Sequence, residues 1–177
     1  MYMTDNSSNI RRWHGRRPFS IDDEAIVDFL GITQGMSILD VGGADGYYSK
    51  KFAARGAAVT IIDAYDYNFK ELNGVGIKTI LHDFCSFDGS NYDLIFMAHV
   101  YHDLVHSCRK KTLKNLSRVS SKYITNLDFT KDEFGFGPPI SERLTKEEVV
   151  RDMRSIGFAL ERSMDLPFHY LQVFVLE

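Results

Sequence analysis

Three aspartates close three separate apolar runs in this chain. Asp40 ends Ser37-Ile38-Leu39 and opens the turn Val41-Gly42-Gly43-Ala44-Asp45-Gly46; Asp63 ends Ala58-Val59-Thr60-Ile61-Ile62; Asp83 follows the run from Ile77 to Leu81 and precedes Phe84. Three glycines within five positions let a turn bring bare N–H groups up to a ligand, because a Cβ there would clash or forbid the dihedrals. An acid just before such a turn repels phosphate but pairs with an ammonium group or accepts from ligand N–H groups. The turn therefore suits a nucleoside-containing ligand that carries positive charge. Asp63 follows Asp40 by 23 positions, the place where an acid takes ribose hydroxyls in dinucleotide sites. Asp83 would accept from an exocyclic amine, with the Phe84 ring beside it to cover a base. A dinucleotide fingerprint starting at Gly42 would need glycines at 44 and 47, where Ala44 and Tyr47 stand.

A second group of chemically capable residues is His99-Val100-Tyr101-His102-Asp103-Leu104-Val105-His106. His102 follows an apolar run on the same edge as the acids, and its titration range suits a general base; capping the next helix is its structural alternative. The stretch superficially resembles a zinc-protease helix, with Asp103 where that motif has Glu, and no metal is assigned to it. Tyr101, Arg143 and His169 are candidate acceptor-pocket residues, the last two because their loops open at the same edge.

The elements that must position these residues follow from periodicity. Ser20 reads as an N-cap for a helix carrying Ile21, Ala25, Ile26, Phe29 and Leu30, stopped by Gly31. Strands are expected over 37–41, 58–62, 77–81, 94–98 and 123–129, with helices over 47–55, 67–73 and from Ser107 through Val119. Gly135-Phe136-Gly137-Pro138-Pro139 marks the region from Thr130 to Leu144 as a loop. Thr145 with Glu148 reads as a capping box, and two strands, 158–164 and 168–176, close the chain around Asp165-Leu166-Pro167. Alternation of strand and helix predicts an α/β fold, a doubly wound, mostly parallel sheet with helices on both faces and its ligand at the C-terminal strand ends.

The 177 residues suggest one domain, taken as residues 19–177 behind a polar and basic arm at 1–18 that holds Arg11, Arg12, Arg16 and Arg17 around Trp13. A formal net charge of −3 argues against a mainly electrostatic nucleic-acid binder. No run approaches membrane-spanning length. Two cysteines, Cys85 and Cys108, are too few for a disulfide framework and read as reduced thiols in a cytoplasmic protein, with Cys85 in the core.

Ile38-Leu39-Asp40-Val41-Gly42-Gly43-Ala44-Asp45-Gly46, then Ile62-Asp63, His82-Asp83-Phe84 and Tyr92-Asp93-Leu94-Ile95-Phe96 closely resemble the ordered motifs of class I S-adenosylmethionine-dependent methyltransferases, the type 11 group most of all. The resemblance runs from about Phe19 to the C-terminus. It implies a seven-stranded, three-layered sheet with one antiparallel strand at 168–176, and S-adenosylmethionine as cofactor. It implies that Asp40 and Gly42, in the turn with Gly43, Ala44 and Gly46, hold the methionine amino group. Asp63, next to Ala64, would take the ribose hydroxyls. Asp83 would take the adenine amine with Phe84 near the ring, and Ala98 and His99 would lie beside the sulfonium. Ala44 departs from the glycine usual in the family. The expected activity is methyl transfer to a small molecule; a nucleoside-binding module without catalysis and an RNA methyltransferase are the alternatives.

Overall fold

In the computed structural model, residues 21–177 are described. Ser20, the arginine cluster and the boundary at residue 18 lie outside them. The chain order is α1 (Asp23–Leu30), β1 (Ser37–Val41), α2 (Tyr47–Ala54), β2 (Ala58–Asp63), α3 (Phe69–Gly74), β3 (Lys78–Leu81), a 3-10 turn (Phe84–Ser86), β4 (Tyr92–Ala98), α4 (Tyr101–Val119), β5 (Ser120–Phe129), a second 3-10 turn (Ile140–Glu142), α5 (Lys146–Arg154), β6 (Phe158–Leu166) and β7 (His169–Leu176). Among the described residues the seven strands form one sheet in the order β3-β2-β1-β4-β5-β7-β6. β1 to β5 pair in parallel, whereas β7 runs antiparallel to both β5 and β6. The single reversed strand is the one expected at the C-terminus.

Both faces of the sheet are covered, so its strands read as continuous apolar runs. Ile38, Ile61 and Phe96 pack on one side against Val27, Phe52 and Leu72 from α1 to α3. Leu39, Ile62 and Met97 pack on the other side against Leu116, Val149 and Met153 from α4 and α5. Phe52 and Phe96 are fully buried and meet edge to face at 4.9 Å; truncating such a ring to Ala costs about 3–5 kcal/mol. Inward-pointing residues of both hands along each strand thus fix the register that brings the strand ends together.

The structure corrects three readings. Asp22 caps α1, accepting from the Ala25 N–H at 3.0 Å. α4 begins at Tyr101, before Ser107, and kinks at Cys108, whose φ of −155° and ψ of 43° are not helical. No side chain caps its start; instead Tyr101 donates to Asp152 (2.9 Å) and His102 bonds Asp128. Tertiary anchoring thus replaces a local start signal. Finally, Cys85 and Cys108 form a disulfide, their Cα atoms 6.1 Å apart, within the range a bridge spans. It ties the 3-10 turn after β3 to the kink in α4, and it removes the thiol argument for a reducing compartment. No helix of the described residues is long and apolar enough to cross a membrane.

Candidate active site

Parallel pairing puts the C-terminal ends of β1, β2, β3 and β4 at one edge. Asp40 is level with Ile61 and Phe96, and Asp63 with Leu81. From β1 the chain turns through Gly42 (φ 70°), Ala44 (φ 47°) and Gly46 (φ 74°) into α2. The Gly42 N–H donates to the Ile62 carbonyl at 2.8 Å, and the Ala44 N–H to the Asp63 carboxylate at 3.1 Å. Asp63 also accepts from the Tyr65 N–H at 3.0 Å. The acid at the end of β2 therefore clamps the turn after β1 through two backbone donors. Ala44 lies in the left-handed region that favours glycine, its N–H held by Asp63. Ala64 is exposed beside it.

Asp40 is buried directly beneath this turn. A Cβ built on Gly43 would meet its carboxylate at 2.8 Å, so only glycine fits there. The Ser49 hydroxyl donates to Asp40 at 2.6 Å. Burial pushes the Asp40 carboxyl up to about 7, against the Ser49 hydrogen bond; the negative charges of Asp63 and Asp45 push the same way as burial. A bare-backbone turn over a buried acid fits a ligand with a cationic amino group, whose charge would stabilise the carboxylate. Asp83 is exposed and accepts the Cys85 N–H at 2.9 Å, capping the 3-10 turn. Phe84 differs from expectation. Its ring is buried against Phe87 and its carbonyl accepts from Asn115 at 2.7 Å, so the ring belongs to the core and does not cover a base.

At the end of β4, Ala98 and His99 are partly exposed, and the His99 N–H donates to the Leu127 carbonyl at 2.8 Å. His102, buried on the first turn of α4, bonds through Nδ1 to both carboxylate oxygens of buried Asp128, at 2.9 and 3.1 Å. An ionised carboxylate only accepts, so Nδ1 carries the hydrogen and Nε2 of the neutral ring keeps a lone pair. Burial disfavours the charged ring. The hydrogen bond and charge of Asp128, with the charges of Asp103 and Glu142, outweigh it and raise the His102 pKa above its ordinary value. His106 turns away to the Glu142 carbonyl at 2.9 Å. Among the described residues no group of three or more His, Cys, Asp or Glu has metal-binding geometry.

The three acceptor-pocket candidates separate. Tyr101 is fully buried between α4 and α5, its hydroxyl on Asp152. Arg143 is also buried, and donates to the carbonyls of Thr130, Asp132, Phe136 and Pro138. It organises the loop after β5 from within. His169 is buried, its ring centre 4.9 Å from His99 and 4.6 Å from Phe129. Sequence reasoning missed Asp128, which is 26 residues from His102 and meets it only through the β4–β5 register. It also missed the rings of Phe129, Phe134, Phe136 and Phe168. A residue pair such as Phe134 and Phe136 inside a Gly-Pro loop was the one available signal.

The strand order with its reversed β7 is the Rossmann-like fold of class I methyltransferases. A SAM-dependent methyltransferase from Aquifex aeolicus superposes with a TM-score of 0.77 at 23% identity, over 88% of this chain and 90% of that one. A putative type 11 methyltransferase from Sulfolobus solfataricus gives 0.71 at 21%, over 87% and 90%. Magnesium protoporphyrin IX methyltransferase from Synechocystis, solved with bound SAH, gives 0.72 at 16%, over 97% and 95%. Residues 39–122 match the family model described as Methyltransferase domain. No curated protein matches the sequence.

Proposed function

We propose that the chain transfers the methyl group of S-adenosylmethionine to a small molecule at the edge formed by β1 to β5. The observation that carries this reading is the left-handed turn clamped by Asp63 above buried Asp40. Asp40, Gly42, Gly43, Ala44 and Gly46 would hold the methionine end. Asp63, with Ala64, would take the ribose hydroxyls. Asp83, with the backbone at Phe84, would take the adenine amine, and Ala98 and His99 would flank the sulfonium. When bound, the cofactor supplies an activated methyl group, so the chain need only orient the acceptor and exclude water. His102 is the proton acceptor for a hydroxyl or amine, and Asp128 holds its tautomer. The net charge of −3 favours a small acceptor over nucleic acid.

Calorimetry with S-adenosylhomocysteine tests the cofactor half. Asp63→Ala should weaken binding by about 2–4 kcal/mol, the sum of its charged hydrogen bonds, with the Tm measured in parallel. Transfer of labelled methyl into a fractionated cell extract tests the acceptor half. Label in small-molecule fractions supports the reading. Label only in RNA, or no label despite intact cofactor binding, overturns it.

A further inference from the structure

A groove of about 400 Å³ runs between the 3-10 turn after β3 and α4. Small ligands occupy volumes of this order. Lys111, Lys114 and Arg118 line it at helical spacing, so all three stand on one face of α4. Arg118 is held by the carbonyls of Phe87 and Gly89. Lys111 and Lys114 are exposed and form no ion pair with another described residue. Asp88 is the one acid of the lining. Cys85 lines the same groove, whereas Cys108, its partner in the bridge, does not. The disulfide therefore meets a cationic groove through one of its two sulfurs.

The other sulfur is placed as a leaving group. Cys108 Sγ lies 3.2 Å from the hydroxyl oxygen of fully buried Thr112. A bridged sulfur has no hydrogen, so the hydroxyl is the donor of that pair. The same hydroxyl reaches the Leu104 carbonyl only at 3.4 Å. A thiolate on Cys108 would draw it over, because charge-assisted hydrogen bonds are about twice as strong as neutral ones. Both cysteines are partly exposed, and exposed bridges are the labile ones. An attacking thiolate is itself an anion, which a cationic groove concentrates.

We propose that the Cys85–Cys108 bridge is a thiol–disulfide exchange site for a small thiol carrying carboxylates, and that such a thiol, once bonded to Cys85, weakens the cofactor's hold at Asp83. The incoming thiolate attacks Cys85 Sγ. The Sγ–Sγ bond breaks as the mixed disulfide forms, and its electron pair leaves on Cys108, which takes the Thr112 hydrogen bond. A second thiolate attacks the small molecule's sulfur, frees Cys85 and departs as the small-molecule disulfide. Two thiols are thus oxidised as the bridge is reduced. The effect on the cofactor rests on the methyltransferase reading above: the Cys85 N–H holds the Asp83 carboxylate at 2.9 Å, so a bulky anion on Cys85 stands beside the acid assigned to the adenine amine.

The full chain is exposed at low ionic strength to glutathione or to neutral 2-mercaptoethanol, at matched thiolate concentration, and followed by intact mass. Glutathione should open the bridge at least about tenfold faster. Lys111→Gln with Lys114→Gln should erase that preference without slowing 2-mercaptoethanol. Peptide mapping should place the adduct on Cys85. Thr112→Val should slow both thiols about tenfold, and Thr112→Ser should restore the rate. Equal rates for the two thiols, an adduct on Cys108, or opening only on unfolding would overturn the proposal. Cys108→Ser carrying glutathione on Cys85 traps the adduct. Calorimetry should find its affinity for S-adenosylhomocysteine at least about fivefold below that of the same variant with Cys85 free; equal affinities would overturn the effect on the cofactor. Failure of the bridged chain to bind S-adenosylhomocysteine would instead remove the methyltransferase reading, while the mass measurement still decides the exchange.

Discussion

Ala44 holds a left-handed backbone, φ 47°, with its N–H on Asp63. Non-glycine residues pay about 1–2 kcal/mol there, partly offset by the entropy glycine loses on folding. Ala44→Gly should therefore raise stability by up to about 1 kcal/mol in urea melts, without loss of S-adenosylhomocysteine affinity. Asp40 carries a different expectation. With its carboxyl near 7 in the free protein, a bound ammonium group should expel its proton. Calorimetry at about pH 6.5 in buffers of differing ionisation enthalpy should register release of about half a proton or more, and Asp40→Asn should abolish it. For His102, the raised pKa places the acid limb of kcat above 6.5, because the ring must be neutral to accept a proton. Asp128→Asn should lower that limb and reduce kcat at least about tenfold, whereas a purely structural Asp128 would move the Tm alone.

The kinked helix α4 is the element on which both halves of the site depend. Its first turn carries His102, while Cys108 and Asn115 grip the 3-10 turn that follows Asp83. Arg118 adds two more contacts, to the carbonyls of Phe87 and Gly89. The Cys85–Cys108 bridge closes a loop of 23 positions, which by chain entropy contributes about 3 kcal/mol. Reduction, or Cys108→Ser, should lower the Tm by roughly 6–12 °C for a chain of this size, and thiol titration of the native protein should find no free cysteine. The pairing was not legible beforehand because a count of two cysteines speaks only to frameworks, and proximity across 23 residues is set by the packing of α4 on the 3-10 turn after β3. For the same reason Asp128 and the phenylalanine run were hidden: each partner lies on a different element. By contrast, Ser37 to Val41 and the Thr145–Glu148 capping box stood plainly in the sequence, since a short apolar run and a capping pair act within a few residues. Asp40 and Asp63 were legible too, because parallel strands put successive strand ends at one edge.

At the scale of the whole molecule these ionisations act together. The raised groups, Asp40 and His102, contribute stability that is full below 3.8 and 6.5 and is lost as pH rises through about 7 for Asp40 and past 6.5 for His102. Asp93, held low by the Ser37 N–H and hydroxyl, and Glu148, held low by the Thr145 N–H, contribute above 3.8 and 4.5 and lose that as pH falls. The unliganded protein should thus melt higher at about pH 6 than at about pH 8.5. Cofactor should narrow the difference by stabilising the Asp40 carboxylate. The buried Arg143 guanidinium, filled by four loop carbonyls, has its own consequence. It assembles the rim of the edge before any ligand arrives, so binding there spends little ordering entropy. Differences in affinity among ligands should then appear in how slowly they leave, with arrival rates nearly constant across the series.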